Sequence, residues 1–343
     1  MSMLSPEEQV DSYALEKLDK DLRAAAKIMG RNQVRFLVDH YYSIQEYRKS
    51  AANQKRALAA ADEPIEILDW FFDQSKKLEK YLQVTLDLYS DNHPIGNWAR
   101  SIKGVGPVIA AGLISHIDIE KAKTAGQIWR FAGLDPTVTW EKGQKRPWNA
   151  ALKVLCWKIG DSFVKWSGGD NPSPYGIRYQ AWKRIYMLRN ERGDYAETAK
   201  ETLATRNFRS DSDARAHYEM GKLPPGRIDL RARRKAVKLF LSHLHDKWHW
   251  QHYGEAPPVP YVIEHMGHAH HIPRPDLIEK SEYQFHFGRT PFDHELDTEL
   301  GRKLLAAIAE AADKRAKEKA AAKASEVSAD QPPKDSDKNL GSD

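Results

Sequence analysis

With 343 residues, a formal charge of +5 and a single cysteine, Cys156, the chain is long enough for two or three structural units and basic enough to accept a polyanionic partner without requiring one. The lone cysteine excludes an intramolecular disulfide framework and any cysteine-built zinc site, and it suits a reducing compartment. The charged stretch from Met1 to Lys27 lacks the apolar core of a signal peptide. No apolar run approaches the roughly 20 residues needed to cross a bilayer, so the expectation is a cytoplasmic protein with no membrane partner.

Residues 1–96 read as helical. Val34, Leu37, Tyr41, Ile44, Ala51 and Leu58 recur at helical spacing, as do Ile67, Phe71, Leu78, Leu82, Thr85 and Tyr89. Pro64 between the two runs suits the first turn of a helix. The pattern predicts a long helical hairpin, either burying its stripes within one molecule or serving as a coiled-coil arm for a homodimer. Residues 97–254 follow as a helical domain containing a helix-hairpin-helix unit. Residues 255–312 are rich in proline and histidine and read as irregular, anchored by Tyr261, Ile263, Tyr283, Phe285 and Phe287. From Asp313 to Asp343 the composition predicts a disordered tail. The fold class expected is therefore mainly α.

The chemistry concentrates first in Ile102 to Ala110, IKGVGPVIA. Two glycines one residue apart suit a tight turn followed by a helix whose opening amides approach a phosphate closely. Gly104, Val105 and Gly106 would present backbone amides, Pro107 fits the first helical position, and Lys103 adds charge; the alternative is a plain turn between buried helices. Such a grip positions a backbone without reading bases. From Lys142 to Lys158 come five basic residues and no acidic one: Lys142, Lys145, Arg146, Lys153 and Lys158, interleaved with Trp148 and Trp157. Farther on, Arg227, Arg231, Arg234 and Lys238 would align on one helix face.

Ten of the fourteen histidines fall after residue 240. His245, His249 and His252 share a helix face, and His268, His270 and His271 have short spacings of the kind metal sites use. No complete metal signature forms, so no cofactor is expected. A divalent metal on those histidines, or acid–base work beside Asp276 or Glu264, is the competing reading.

The hairpin and its continuation, IKGVGPVIAAGLISHI, then TAGQIWRFAGLDP, then KGQKRPWNAALKVLCWKIG, resemble the C-terminal domain of the Piv-type DEDD insertion-sequence transposases, the insertion-sequence 110/116/902 group. The resemblance extends loosely over residues 31–250 and is specific mainly between 101 and 160. It implies a DNA-engaging helical domain. Members of that group carry an N-terminal RuvC-like domain with acidic metal ligands, whereas residues here before the hairpin read as helical. They also use a serine nucleophile in the loop after the AGL-x-P block, where this sequence offers only Thr139 as a nearby hydroxyl. The leading expectation is a protein that holds nucleic acid, DNA foremost, without cutting it, and no catalytic residue is assigned. The alternatives are a recombinase or nuclease using a divergent hydroxyl or a histidine-bound metal, and an adaptor that binds other proteins.

Overall fold

A computed structural model describes residues 15–258 and 271–329. Among the described residues the regular structure is helical, with no strand. None of the described helices is long and apolar enough to cross a membrane. The chain divides into two compact units, one within residues 1–183 and 225–290, the other within 184–224 and 291–343.

In the first unit α1 (Lys20–Lys27) leads into α2 (Arg31–Ala60) and α3 (Glu66–Asp91). Lys55 pairs with Asp69 and Arg48 with Glu79, so the partners move in opposite directions along the two helices and the hairpin is antiparallel. The stripes bury at its base, through Val34, Val38, Leu86 and Tyr89. Toward the tip Ile67 and Phe71 stay 78% and 42% exposed, although their spacing places them in the predicted stripe. Ser75 and Glu79 are buried instead, the Glu79 carboxylate accepting from Arg48 and Gln45.

Next come α4 (Pro94–Ser101), α5 (Pro107–His116), α6 (Ala125–Phe131) and α7 (Ala150–Lys165). The α5 sequence is apolar all round, and every residue from Val108 to His116 is buried, as expected of a helix enclosed on all sides. Gly112 lets it fit there: a Cβ would lie 2.8 Å from Leu155 on α7 and 3.6 Å from Val38 on α2. α8 (Pro174–Arg192) passes from the first unit into the second, and α11 (Pro225–Tyr253) returns the chain to the first. α7 and α11 cross closely at Gly160, whose added Cβ would meet Arg233 and Val237 at 3.4 Å.

Residues 271–290 belong to this unit. Phe287, in the short α12 (Tyr283–Phe287), is fully buried with its ring edge-on to Tyr175, whereas Phe285 is 56% exposed. The expected anchors Tyr261 and Ile263 fall outside the described residues.

In the second unit α9 (Ala196–Thr205) packs on α10 (Asp213–Glu219), and α13 runs over Glu299–Ala329. Ile185, Leu188 and Leu296 form a small core with Phe292, Leu304 and Leu305. Two composition-based expectations change here. Residues 299–312, read as irregular, are helical, and so is the part of the supposed disordered tail up to Ala329. Alanine, lysine and glutamate are strong helix formers, so a helix can form where too little apolar surface exists to build a core.

Candidate nucleic-acid interface

α4 and α5 are joined by a tight turn at Ile102–Gly106. Gly104 has φ +99, a left-handed conformation that a Cβ disfavours. Its carbonyl accepts the Ser162 hydroxyl at 2.6 Å, and the Val105 amide donates to the Ile102 carbonyl at 2.9 Å. Val105 therefore spends its N–H within the turn and points its side chain into the core, which removes it from the three amides expected to face a ligand.

Gly106 differs from Gly104. Its φ of −88 suits any residue, it is exposed, and an added Cβ would meet nothing within 4 Å. Nothing among the described residues requires glycine there, whereas an external group approaching the backbone would. Gly106 is the N-cap of α5, Pro107 follows in the first turn, and no side chain caps the helix. The first-turn amides, Val108 and Ile109, are thus left for an outside acceptor at the positive end of the helix dipole.

That helix start opens onto a cleft of about 590 Å³ lined by Lys49, Arg100, Lys103, Lys158 and Lys165 against only Glu46 and Asp161. Several of these cations have partners. Lys49 lies 3.0 Å from Glu46, Lys165 lies 2.8 Å from Asp161, and Arg100 bonds Asp87 at 2.7 Å and Asp91 at 2.9 Å. Lys103, expected beside the phosphate, donates to the Asn171 carbonyl and sits 4.5 Å from the Trp166 ring centre. It contributes charge from a fixed position. Lys158 is held 4.7 Å from the Tyr42 ring and 3.8 Å from Glu46. The hydrogen bond and charge of Lys49 keep the Glu46 carboxyl below its ordinary range.

A second basic surface adjoins the first along α7. Lys153 and Trp157, and Val154, Lys158, Asp161 and Lys165, follow the spacing of one helix face, and it is the face that leaves the core. Lys142, Lys145 and Arg146 are exposed in the loop before α7. That loop is fixed by its tryptophans: Trp140 donates to the Gln144 carbonyl at 2.7 Å, and the Trp140 and Trp148 rings meet edge-to-face. Arg146 lies over Trp140 at 5.3 Å and Lys153 over Trp148 at 4.0 Å. Burial, then the charges of Arg234 and Arg146, push the Lys153 ammonium below its ordinary value. Burial and Arg234 do the same to Lys238, against the opposing pull of Asp135. Arg234 and Arg146 thus add like charge beside Lys153, while at Lys238 the pull of Asp135 outweighs the push of Arg234. Arg234 is exposed and Arg231 half-buried, while Arg233 is drawn into pairs with Asp229 and Asp161.

Of the α11 histidines, His243, His245 and His249 are buried and serve packing, while His252 is exposed, 3.6 Å from Glu120. His245 donates through Nε2 to the Ala122 carbonyl at 2.8 Å, and His249 through Nδ1 to the Glu255 carbonyl at 3.1 Å. His243 bonds the Ile272 carbonyl through Nε2 and the Tyr175 hydroxyl through Nδ1, both at 2.9 Å. No group of three or more His, Cys, Asp or Glu able to hold a metal occurs among the described residues. His268, His270 and Glu264 lie outside them, and His271 is exposed. Asp276 is engaged by Trp98, Lys247 and Arg274. Thr139 is exposed in the loop.

Sequence reasoning missed Trp166, Arg100, Lys49 and Lys165 in the cleft. The 3.6-residue period of α7 gives away Lys165, but the others come from separate elements that only tertiary packing assembles. Neither a curated protein nor a solved structure matches this chain. A family model does: residues 97–143, from α4 through the turn, α5 and α6 into the basic loop, match the Transposase IS116/IS110/IS902 family, and over that segment the chain is transposase-like.

Proposed function

We propose that this chain binds DNA by its phosphate backbone at the start of α5 and along the adjoining basic loop. The observation that carries the reading is Gly106: an exposed, uncapped helix start where no contact among the described residues calls for glycine, opening onto a cleft to which those residues bring five cations and two carboxylates. Gly104 shapes the turn and Gly106 admits the phosphate, while Lys103 adds fixed charge. Lys142, Lys145, Arg146 and Lys153 neutralise neighbouring phosphates, with Arg231 and Arg234 extending the track. Such contacts fix position and supply affinity that falls steeply with salt.

The match to the transposase family supports this reading, and it supports transposition and recombination as the general setting. Holding the backbone is the part of such a process that these residues account for. The hairpin tip, where Ile67, Trp70 and Phe71 remain exposed, is the place where a second copy would pair.

The test is filter binding of duplex DNA to the full chain and to a variant carrying Arg146→Glu with Lys153→Glu, both on the exposed surface. Loss of binding in the variant is expected. Equal binding by the two proteins would overturn the proposal.

A further inference from the structure

Two indoles in the cleft are unexplained by a phosphate grip. Trp157 is 51% exposed and Trp166 46%, and both line the cavity. Half-exposed tryptophans forgo much of the stabilisation that burying so large a ring provides. Each has a lysine beside it. Trp166 lies under the Lys103 ammonium at 4.5 Å and packs beside Gly104, where an added Cβ would be 3.3 Å from its Cδ1. Trp157 has the Lys158 ammonium 5.7 Å from its ring centre, the same cation that faces Tyr42.

The spacing of the two rings says which kind of strand they suit. Trp157 lies in α7 and Trp166 is the cap that follows its last residue; nine residues put the two about 13 Å apart along the axis and roughly half a turn apart around it, so a strand that meets both crosses the end of the helix. Bases stacked in a duplex follow one another at about 3.4 Å per strand, so neighbouring paired bases cannot reach both rings. Bases splayed from an extended strand can. Aromatic platforms alternating with cations are the means by which proteins hold unpaired strands without reading sequence. The cleft volume, about 590 Å³, falls within the roughly 300–1,000 Å³ of sites that enclose small ligands. A protein partner docking on exposed indoles would have to accommodate the excess of cations around them, whereas a polyanion uses it.

We propose that the cleft takes an unpaired nucleic-acid strand, with bases stacked on Trp157 and Trp166 and phosphates directed to Lys158, Lys103 and the first amides of α5. This rests on the phosphate-grip reading and narrows it to a strand that is open where it enters the cleft. The loop face with Arg146 and Lys153 remains available to a flanking duplex.

The test uses the full chain with short oligonucleotides carrying 2-aminopurine, in deoxyribo and ribo form, each single-stranded and as a blunt duplex. Stacking on an indole quenches the probe. Quenching of the single strand is expected in at least one of the two sugar forms, and the stronger arm identifies the strand. Trp157→Ala should weaken single-strand binding about tenfold and leave duplex binding within about twofold. Saturated binding with unchanged probe emission, or equal weakening of both forms by this variant, would overturn the proposal while leaving the phosphate grip standing. Failure of both forms to bind would overturn the two together.

Discussion

Replacing Gly106 with aspartate separates ligand binding from stability. At φ −88 and ψ 175, with nothing within 4 Å of an added Cβ, the site accepts a side chain without strain. Aspartate is a preferred N-cap: its carboxylate accepts from the first-turn amides of α5, which no side chain caps at present. Relative to glycine the cap is worth a few tenths of a kcal/mol, and the helix dipole adds about 0.3–1 kcal/mol. The same carboxylate occupies the place of the proposed phosphate. A phosphate about 4 Å from it is repelled by about 1 kcal/mol in bulk water and about 4 kcal/mol at the effective dielectric of a protein surface. The dissociation constant should therefore rise between roughly fivefold and roughly a thousandfold. Fluorescence anisotropy with a duplex oligonucleotide carrying an unpaired tail, at about 50 mM salt, measures the binding, and a thermal melt of the same samples measures the fold. The expected outcome is a melt unchanged or raised with binding lost. Unchanged affinity at an unchanged melt would refute the assignment of α5 as the anion site.

Acid sensitivity should follow from two buried histidines. Burial first, then the charge of Arg35, lowers His116 from its ordinary 6.5 to about 4. Burial lowers His243 to about 3 despite the bond it donates to Ile272. The unfolded chain takes up these protons at a higher pH than the folded one, so their contribution is fully present above about pH 6.5 and is lost as pH falls toward those values. Each histidine should remove about 1 kcal/mol per pH unit in that window, read as a falling urea midpoint between about pH 7 and pH 5; a flat profile would show that neither ring is held neutral. Gly112→Ala should lose roughly 1–3 kcal/mol through overpacking, because its Cβ would press on Leu155 at 2.8 Å, and regain about 1 kcal/mol of helix propensity, for a net loss of up to about 2 kcal/mol. A melt raised by that variant would mean the alanine methyl meets no obstacle on α7.

The parts legible in the sequence are those fixed by local chemistry. The hairpin follows from its helical period, and the α4–α5 turn from a proline placed where its missing amide does no harm and from Gly104, whose φ of +99 the glycine pair anticipates. Less legible is what each group in the turn does once packed. Val105 and Lys103 sit inside the motif, yet one spends its amide on Ile102 and the other its ammonium on Asn171, a residue 68 positions away. The apolar period likewise does not reveal that Ile67 and Phe71 lie beyond the buried base of the hairpin, because period identifies a face and not the neighbour that covers it. Nor does it separate Trp157, left open to solvent, from Trp98, which is buried with its indole bonded to Asp276. The C-terminal helix was hidden for the opposite reason: composition reports on the capacity to build a core, and helix propensity is a separate quantity.

The salt dependence of duplex DNA binding by the unaltered chain tests the central claim most directly. The four exposed cations Lys142, Lys145, Arg146 and Lys153, each engaging one phosphate, predict a slope of log affinity against log salt near −3.6, or roughly a 150-fold loss between about 50 and 200 mM. Measurable binding at about 50 mM that falls in this way is the predicted result, and absence of binding at that salt, or affinity indifferent to it, would contradict the account.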